Sequence, residues 1–315
     1  MGISVYLKQI ARGASGARAL DRAQAADAFG QVLDGRCSDL EVGAFCIAMR
    51  VKGETPQELA GFLDALDARI HKLPASDHPM VVLPSYNGAR KLPVLTPLLA
   101  LMLARKGLPV LIHGTATEDA RVTTAEVLAL AGIHARPPSE AIRAGCLHFV
   151  PTEALHPGLE RLLQVRRQVG VRSSAHSVVK LMNPVAGPAL VVGSYTHTEF
   201  AHTMAATLAL TGQHALLLRG TEGEPVADAR RARRMDVFLH GRQHSTQEGT
   251  DGPFAAVPGL PAQVDAPGTF AYIRAVMEGD IPAPRPILAQ VDLILHACKA
   301  LEAEGDPSSL QALVA

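Results

Sequence analysis

The sequence predicts an α/β protein: a small helical domain over residues 1–72, then a larger α/β domain over 73–315 with a mostly parallel central sheet. Three observations predict it. The first seventy residues read as capped helices. A breaker-rich stretch from His71 to Pro79 then changes the pattern, and from Met80 onward short apolar runs alternate with helical stretches. Strands that alternate with helices imply a parallel sheet covered on both faces. With 315 residues, 48% of them hydrophobic, the chain can bury a substantial core.

Asp21 is placed to cap an Ala-rich helix running to about Leu33, and Ser38 or Asp39 to cap one through Val42, Phe45, Ile47 and Met49. Thr55-Pro56-Gln57-Glu58 combines a capping box with proline at the first helical position. Beyond the hinge, Met80–Leu83, Val110–His113, Ala189–Gly193 and His214–Leu218 read as strands. Thr96–Lys106, Thr123–Ala131 and Thr196–Thr211 read as helices, and helices around 157–183 are expected to pack back on the helical domain. Residues 241–268, rich in Gly, Pro, Thr and Gln, read as a long loop or an excursion at the sheet edge. Parallel sheets bind ligands beyond the C-terminal ends of their strands, so the turns after Leu83, His113, Gly193 and Leu218 are where chemistry is expected.

Composition narrows the function. Cys37, Cys46, Cys146 and Cys298 are scattered, which argues against a disulfide framework or a zinc knuckle and for buried free thiols. No stretch approaches the roughly 18 apolar residues of a membrane span, and residues 1–18 contain no signal-peptide core, so a cytoplasmic location is expected. The net charge is zero but unevenly spread: residues 73–235 carry seventeen basic and eleven acidic side chains, whereas 236–315 carry four and ten. The basic surplus therefore falls where a central cleft would be built.

Four segments in order resemble the anthranilate phosphoribosyltransferase family, of the glycosyltransferase family 3 and nucleoside phosphorylase II type. They are LPSYNGARKLPVLT (Leu83–Thr96), LIHGTA (Leu111–Ala116), HPGLERLLQVRRQVGVRSSAHSVVKLMNP (His156–Pro184) and RGTEGEPV (Arg219–Val226). In that family the first segment is a glycine-rich turn whose bare backbone wraps a pyrophosphate. Here Gly88 is its one remaining glycine, Tyr86 stands where the pyrophosphate would lie, and the cradle is expected to be lost. The family's lysine, asparagine and arginine around His113-Gly114 are replaced by Ile112, Thr115 and Ala116. Pro225 and Val226 replace two acidic metal ligands, leaving Glu222 and Glu224 off the matching positions. His156, Pro157, Arg166, Gly170, Arg172, Asn183 and Pro184 do match, and Arg166 falls where the family's arginine meets the anthranilate carboxylate. The PSYNGARK run looks most similar to the divergent YbiB-like branch, a resemblance that implies a dimeric, nucleic-acid-binding protein without known enzyme activity.

The expected function is sequence-independent binding of DNA or RNA backbone by a basic interdomain groove, with no cofactor, no metal and no catalytic residues. Its expected residues are Arg90, Lys91, Arg161, Arg166, Arg167, Arg172 and Lys180, with Tyr86, Asn87, His113, His156 and His176 as further cleft residues. Tyr86 is the residue expected to offer base stacking. The Arg230–Arg234 cluster reads either as a second basic site or as a solvated face. Two alternatives remain open: a transferase- or phosphorylase-like enzyme using cleft histidines on an unknown phosphorylated substrate, or a sensor of a small anion. A homodimer joined through the helical segment is expected from the apolar faces of residues 3–10 and 40–49.

Overall fold

The computed structural model describes residues 2–13, 15–254 and 256–305. The chain opens with α1 (Ser4–Ile10), α2 (Arg22–Leu33), α3 (Asp39–Lys52) and α4 (Pro56–Asp67). Asp21, Ser38 and Thr55 each accept the N3 backbone N–H, and Gln24, Glu41 and Glu58 reach back to the cap. Each such cap is worth about 1 kcal/mol, and together they fix three helix starts from purely local sequence. At the centre of the lobe Phe29 stacks on Phe62, with ring centroids 4.7 Å apart, and Phe45 meets Phe62 edge to face at 6.0 Å.

Beyond the hinge come β1 (Met80–Ser85), α5 (Thr96–Arg105), β2 (Val110–Gly114), α6 (Thr124–Leu130), β3 (Leu147–Pro151), α7 (Thr152–Leu155), α8 (Pro157–Val169) and α9 (Ala175–Val178). Then follow β4 (Ala189–Tyr195), α10 (Thr198–Thr211), β5 (Ala215–Arg219), β6 (Met235–Leu239), β7 (Arg242–Gln247), α11 (Ala266–Glu278) and α12 (Arg285–Gly305). Among the described residues these strands form one seven-stranded sheet in the order β3-β2-β1-β4-β5-β6-β7. The first five are parallel, and β6 and β7 run antiparallel. Part of the stretch expected to be loop is thus the edge strand β7. β1 and β4 are buried along their whole length, as continuous apolar central strands must be.

One face of the sheet shares a continuous buried cluster with the helical lobe, in which Phe29, Phe62, Leu159, Val178, Val191 and Leu217 all take part. α8 packs on α2 and α3, and α9 on α4, so the 157–183 segment does return to the lobe. α5, α11 and α12 cover the other face. Cys46 and Cys298 are buried as free thiols, whereas Cys37 is only half-buried and Cys146 is exposed, a correction to the burial expected of all four. No helix among the described residues is long and apolar enough to cross a membrane.

Candidate functional site

The strand order reverses between β1 and β4, and the loops beyond their C-terminal ends meet there. The loop after β1 is stapled on one side by paired backbone hydrogen bonds between Ala89 and Val122 (2.7 and 3.0 Å). On its other side stands the turn after β5. Glu224, 2% exposed, accepts from the backbone N–H of Asn87 (2.7 Å) and Gly88 (2.9 Å). The Ser85 and Thr96 hydroxyls are placed to donate to it as well, and Thr124 Oγ1 lies 3.5 Å away. Glu222 accepts from the N–H of Arg90 (2.7 Å) and Lys91 (3.1 Å), and its carbonyl accepts from Asn87 Nδ2 (2.6 Å). Leaving one buried donor unpaired costs about 1–3 kcal/mol, so one carboxylate that satisfies several is a strong local clamp.

The turn is shaped for this. Glu222 sits at φ 52°, a conformation that costs a non-glycine residue energy and persists only when its surroundings enforce it. Gly223, at φ 87°, has no room for a β-carbon, because one would overlap the Asn87 side-chain amide. Its carbonyl accepts from Ser194 Oγ (2.7 Å) and Lys180 Nζ (3.1 Å). The first loop keeps Gly88 as its one remaining glycine. Its N–H groups still converge, but on carboxylates of the same chain. Glu222 and Glu224 are also the two carboxylates a divalent cation would need here. With both turned to N–H and O–H donors, the residues do not fit a hard-cation site, which takes six or more oxygen ligands.

Beside this clamp opens a basin of about 690 Å³ lined by Arg90, Lys91, Arg121, Arg219, Arg230, Arg231 and Arg233. Three of its charges are answered locally: Arg121 pairs with Glu118, Arg230 pairs with Asp228, and Glu222 binds backbone. Arg90, Lys91, Arg219, Arg231 and Arg233 have no carboxylate partner within 4.0 Å among the described residues. Arg234 turns away to Asp236 and Glu248.

The structure separates the residues expected to share one groove. Arg90 and Lys91 line the basin. Arg166 is held by Glu118 (2.6 Å) and Thr117, and Arg167 by Asp119, on the neighbouring rim. Arg172, His176 and Lys180 line a different cavity, about 270 Å³, between the helical lobe and the sheet. Lys180 is 9% exposed; burial lowers its pKa to about 8, and its ammonium serves the turn rather than a surface. Arg161 reaches the Val32 carbonyl (3.3 Å) at the end of α2.

The expected cleft residues need similar correction. Tyr86 is buried, its hydroxyl against His113 Nδ1 (2.7 Å) and Thr152 Oγ1 (3.0 Å), so it cannot stack on a base. Burial drives the pKa of His113 and of His176 down to about 3, leaving both neutral. His156 caps α8 by accepting from the Leu159 N–H (3.1 Å). Asn87 alone among these five bridges the clamp directly. Sequence reasoning missed Arg121 and Arg219; the end of β5 was marked as a ligand-facing turn, which was the available signal for Arg219.

Fold and clamp together define a glycosyltransferase scaffold of the family 3 type, with a helical lobe set against a mostly parallel sheet whose strand-end loops meet at the point where the strand order reverses. Residues 4–69 match the helical bundle domain of a glycosyl transferase family. The chain is 36% identical over 298 residues to the uncharacterized protein YbiB of Escherichia coli strain K12, covering 92% of each. It is 28% identical over 304 residues to the anthranilate phosphoribosyltransferase of Leifsonia xyli subsp. xyli, covering 93% of this chain and 84% of that one. The crystal structure of anthranilate phosphoribosyltransferase from Thermus thermophilus superposes with a TM-score of 0.73 at 23% identity, over 95% of this chain and 88% of that one. The chain belongs to the anthranilate phosphoribosyltransferase-like family, with YbiB as a relative along nearly its full length.

Proposed function

We propose that the protein binds nucleic-acid backbone without reading sequence, in the cytoplasm, and has given up phosphoribosyl transfer. The observation that supports this most is the basin, which offers on one concave wall five cationic side chains with no carboxylate partner within 4.0 Å among the described residues. Each phosphate neutralised by such a residue releases condensed counterions, and arginine forks suit phosphate oxygens. His197 is the sole ring among the lining residues, so backbone contact rather than stacking dominates. The clamp speaks against the ancestral reaction, because Glu224 fills the place where a pyrophosphate would meet backbone N–H groups.

Binding of single- and double-stranded oligonucleotides, measured at two salt concentrations, tests this reading. Log affinity should fall linearly with log salt and be indifferent to sequence. Arg219, Arg231 and Arg233 changed together to Ala should reduce the salt slope by roughly three and weaken all sequences alike. Arg166 and Arg167 changed to Ala should have the smaller effect, since each is already ion-paired. Equal loss from both sets, or affinity insensitive to salt, would overturn the basin assignment. A second reading, binding of a small carboxylate or phosphate, is favoured by Arg172, which lines the interdomain cavity with no ion pair among the described residues. Saturable binding of such a ligand, lost in Arg172→Ala and retained in the triple variant, would favour it.

We also propose a homodimer joined through the helical lobe. Leu40, Ala44, Ile47 and Val51 form an exposed stripe along α3, with Leu40 84% and Val51 78% exposed and Val5 of α1 exposed as well.

A further inference from the structure

We infer that the apolar pocket lined by Phe254, Val257, Pro258, Pro282, Pro284 and Arg285 takes an unpaired nucleobase, so that a single strand is held there by a base as well as in the basin by its phosphates. The inference rests on the nucleic-acid reading of the basin and names the part of the strand that the basin leaves unheld.

The pocket measures about 430 Å³ and shares a wall with the basin. Along residues 228–230 the wall presents alternate faces: Asp228 and Arg230 line the basin, and Ala229 between them lines the pocket. A narrow cleft bordered by Thr221, Asp228, Ala229 and Arg230 runs between the two. The Phe254 N–H donates to the Arg230 carbonyl (2.7 Å), which sets this half-buried residue beside Arg230 in the wall. The opposite side is fixed as well. Gln290 of α12, fully buried, accepts from the Ala227 N–H (2.8 Å) and donates to the Pro225 carbonyl (3.0 Å). Pro282, Pro284 and Arg285, which lead into that helix, are thereby held against the 225–229 segment.

The chemistry selects the occupant. The pocket carries aliphatic and proline surface, one aromatic ring and, among the described residues, no carboxylate, so it suits a flat group with apolar faces. The basin beside it is cationic. A nucleotide joins both chemistries in one unit: a phosphate for the arginines and a base for the ring. Stacking on an aromatic side chain accepts any base, because every base has a π-face, and the Arg285 guanidinium adds a second plane at the rim. In a duplex the bases stay paired and stacked, and extruding one costs free energy that a single strand does not spend.

The chain contains no tryptophan, so Phe254→Trp places a single reporter in the full-length protein. Titration with single-stranded oligothymidylate should quench its emission saturably. A strand of the same length with abasic sugars, or a duplex, should bind with little quenching. Phe254→Ala should weaken single-strand binding by roughly fivefold or more and leave the salt slope unchanged, because a ring and not a charge is lost. Duplex affinity should stay the same. Phe254→Leu, which keeps apolar bulk without the ring, should behave as Phe254→Ala does. Equal weakening of both forms, full single-strand affinity in Phe254→Leu, or quenching by the abasic strand as strong as by the intact one would overturn the base pocket and leave the basin reading standing. Wild type that binds neither form would sink the basin reading and this inference with it.

Discussion

His113 and His176 are buried imidazoles whose pKa values lie near 3 in the fold against an ordinary 6.5. Between those limits the unfolded chain binds more protons than the folded one, so stability must fall as pH drops from about 6.5 toward 3. The slope is about 1.4 kcal/mol per pH unit for each group. Thermal midpoints of wild type should fall more steeply over this window than those of His113→Gln, and parallel curves would refute the buried neutral assignment. Lys180 acts at the other end of the scale. Its pKa is lowered from 10.5 to about 8, so above pH 8 the folded state sheds a proton that the unfolded chain keeps. Wild type should therefore gain stability relative to Lys180→Met between pH 8 and 10.5. A stability difference that stays constant, or in which wild type loses ground to Lys180→Met as the pH rises, would show that the ammonium is not desolvated.

At the level of elements, what the sequence disclosed was local and what it hid was tertiary. The capping boxes at Asp21, Ser38 and Thr55 lie within four residues each and were legible without a fold. β3 and β7 were not, because a half-exposed LHFVP and a polar RQHSTQ at the sheet edges lack the apolar continuity that marks β1 and β4. The same divide runs through the site. The motifs located the loops, but Tyr86 turning inward on His113 and Thr152, 27 and 66 residues away, and Glu224 filling the β1 loop from 139 residues beyond Ser85 are set by packing between distant segments. α3 shows both sides: its cap is local, while the stripe of Leu40, Ala44, Ile47 and Val51 has meaning only once its other face is seen to be buried. Replacing Leu40 and Val51 with Glu should shift a sedimenting dimer to monomer at micromolar concentration. Helix content should be unchanged, because neither side chain is packed. A wild-type monomer, or a variant that stays dimeric, would end the α3 assignment.

On the scale of the whole molecule, the helical lobe and the sheet are joined by one core rather than by a thin interface. Phe29, Phe45 and Phe62 belong to the same buried cluster as Val82, Val191 and Leu217, α4 packs along α10, and Arg22 donates to the Leu210 carbonyl (3.0 Å). Chains of this length commonly unfold through intermediates, domain by domain, so a shared core makes a distinguishing prediction. Thermal unfolding of the full chain should follow one cooperative transition. Phe62→Ala in the lobe, costing about 3–5 kcal/mol, and Val191→Ala in the sheet should each lower that single midpoint without splitting it. Two resolved calorimetric peaks, one moved only by Phe62→Ala and the other only by Val191→Ala, would mean that the lobe melts on its own. The interdomain cavity around Arg172 would then open before the basin does, and loss of small-anion binding on heating would precede loss of oligonucleotide binding.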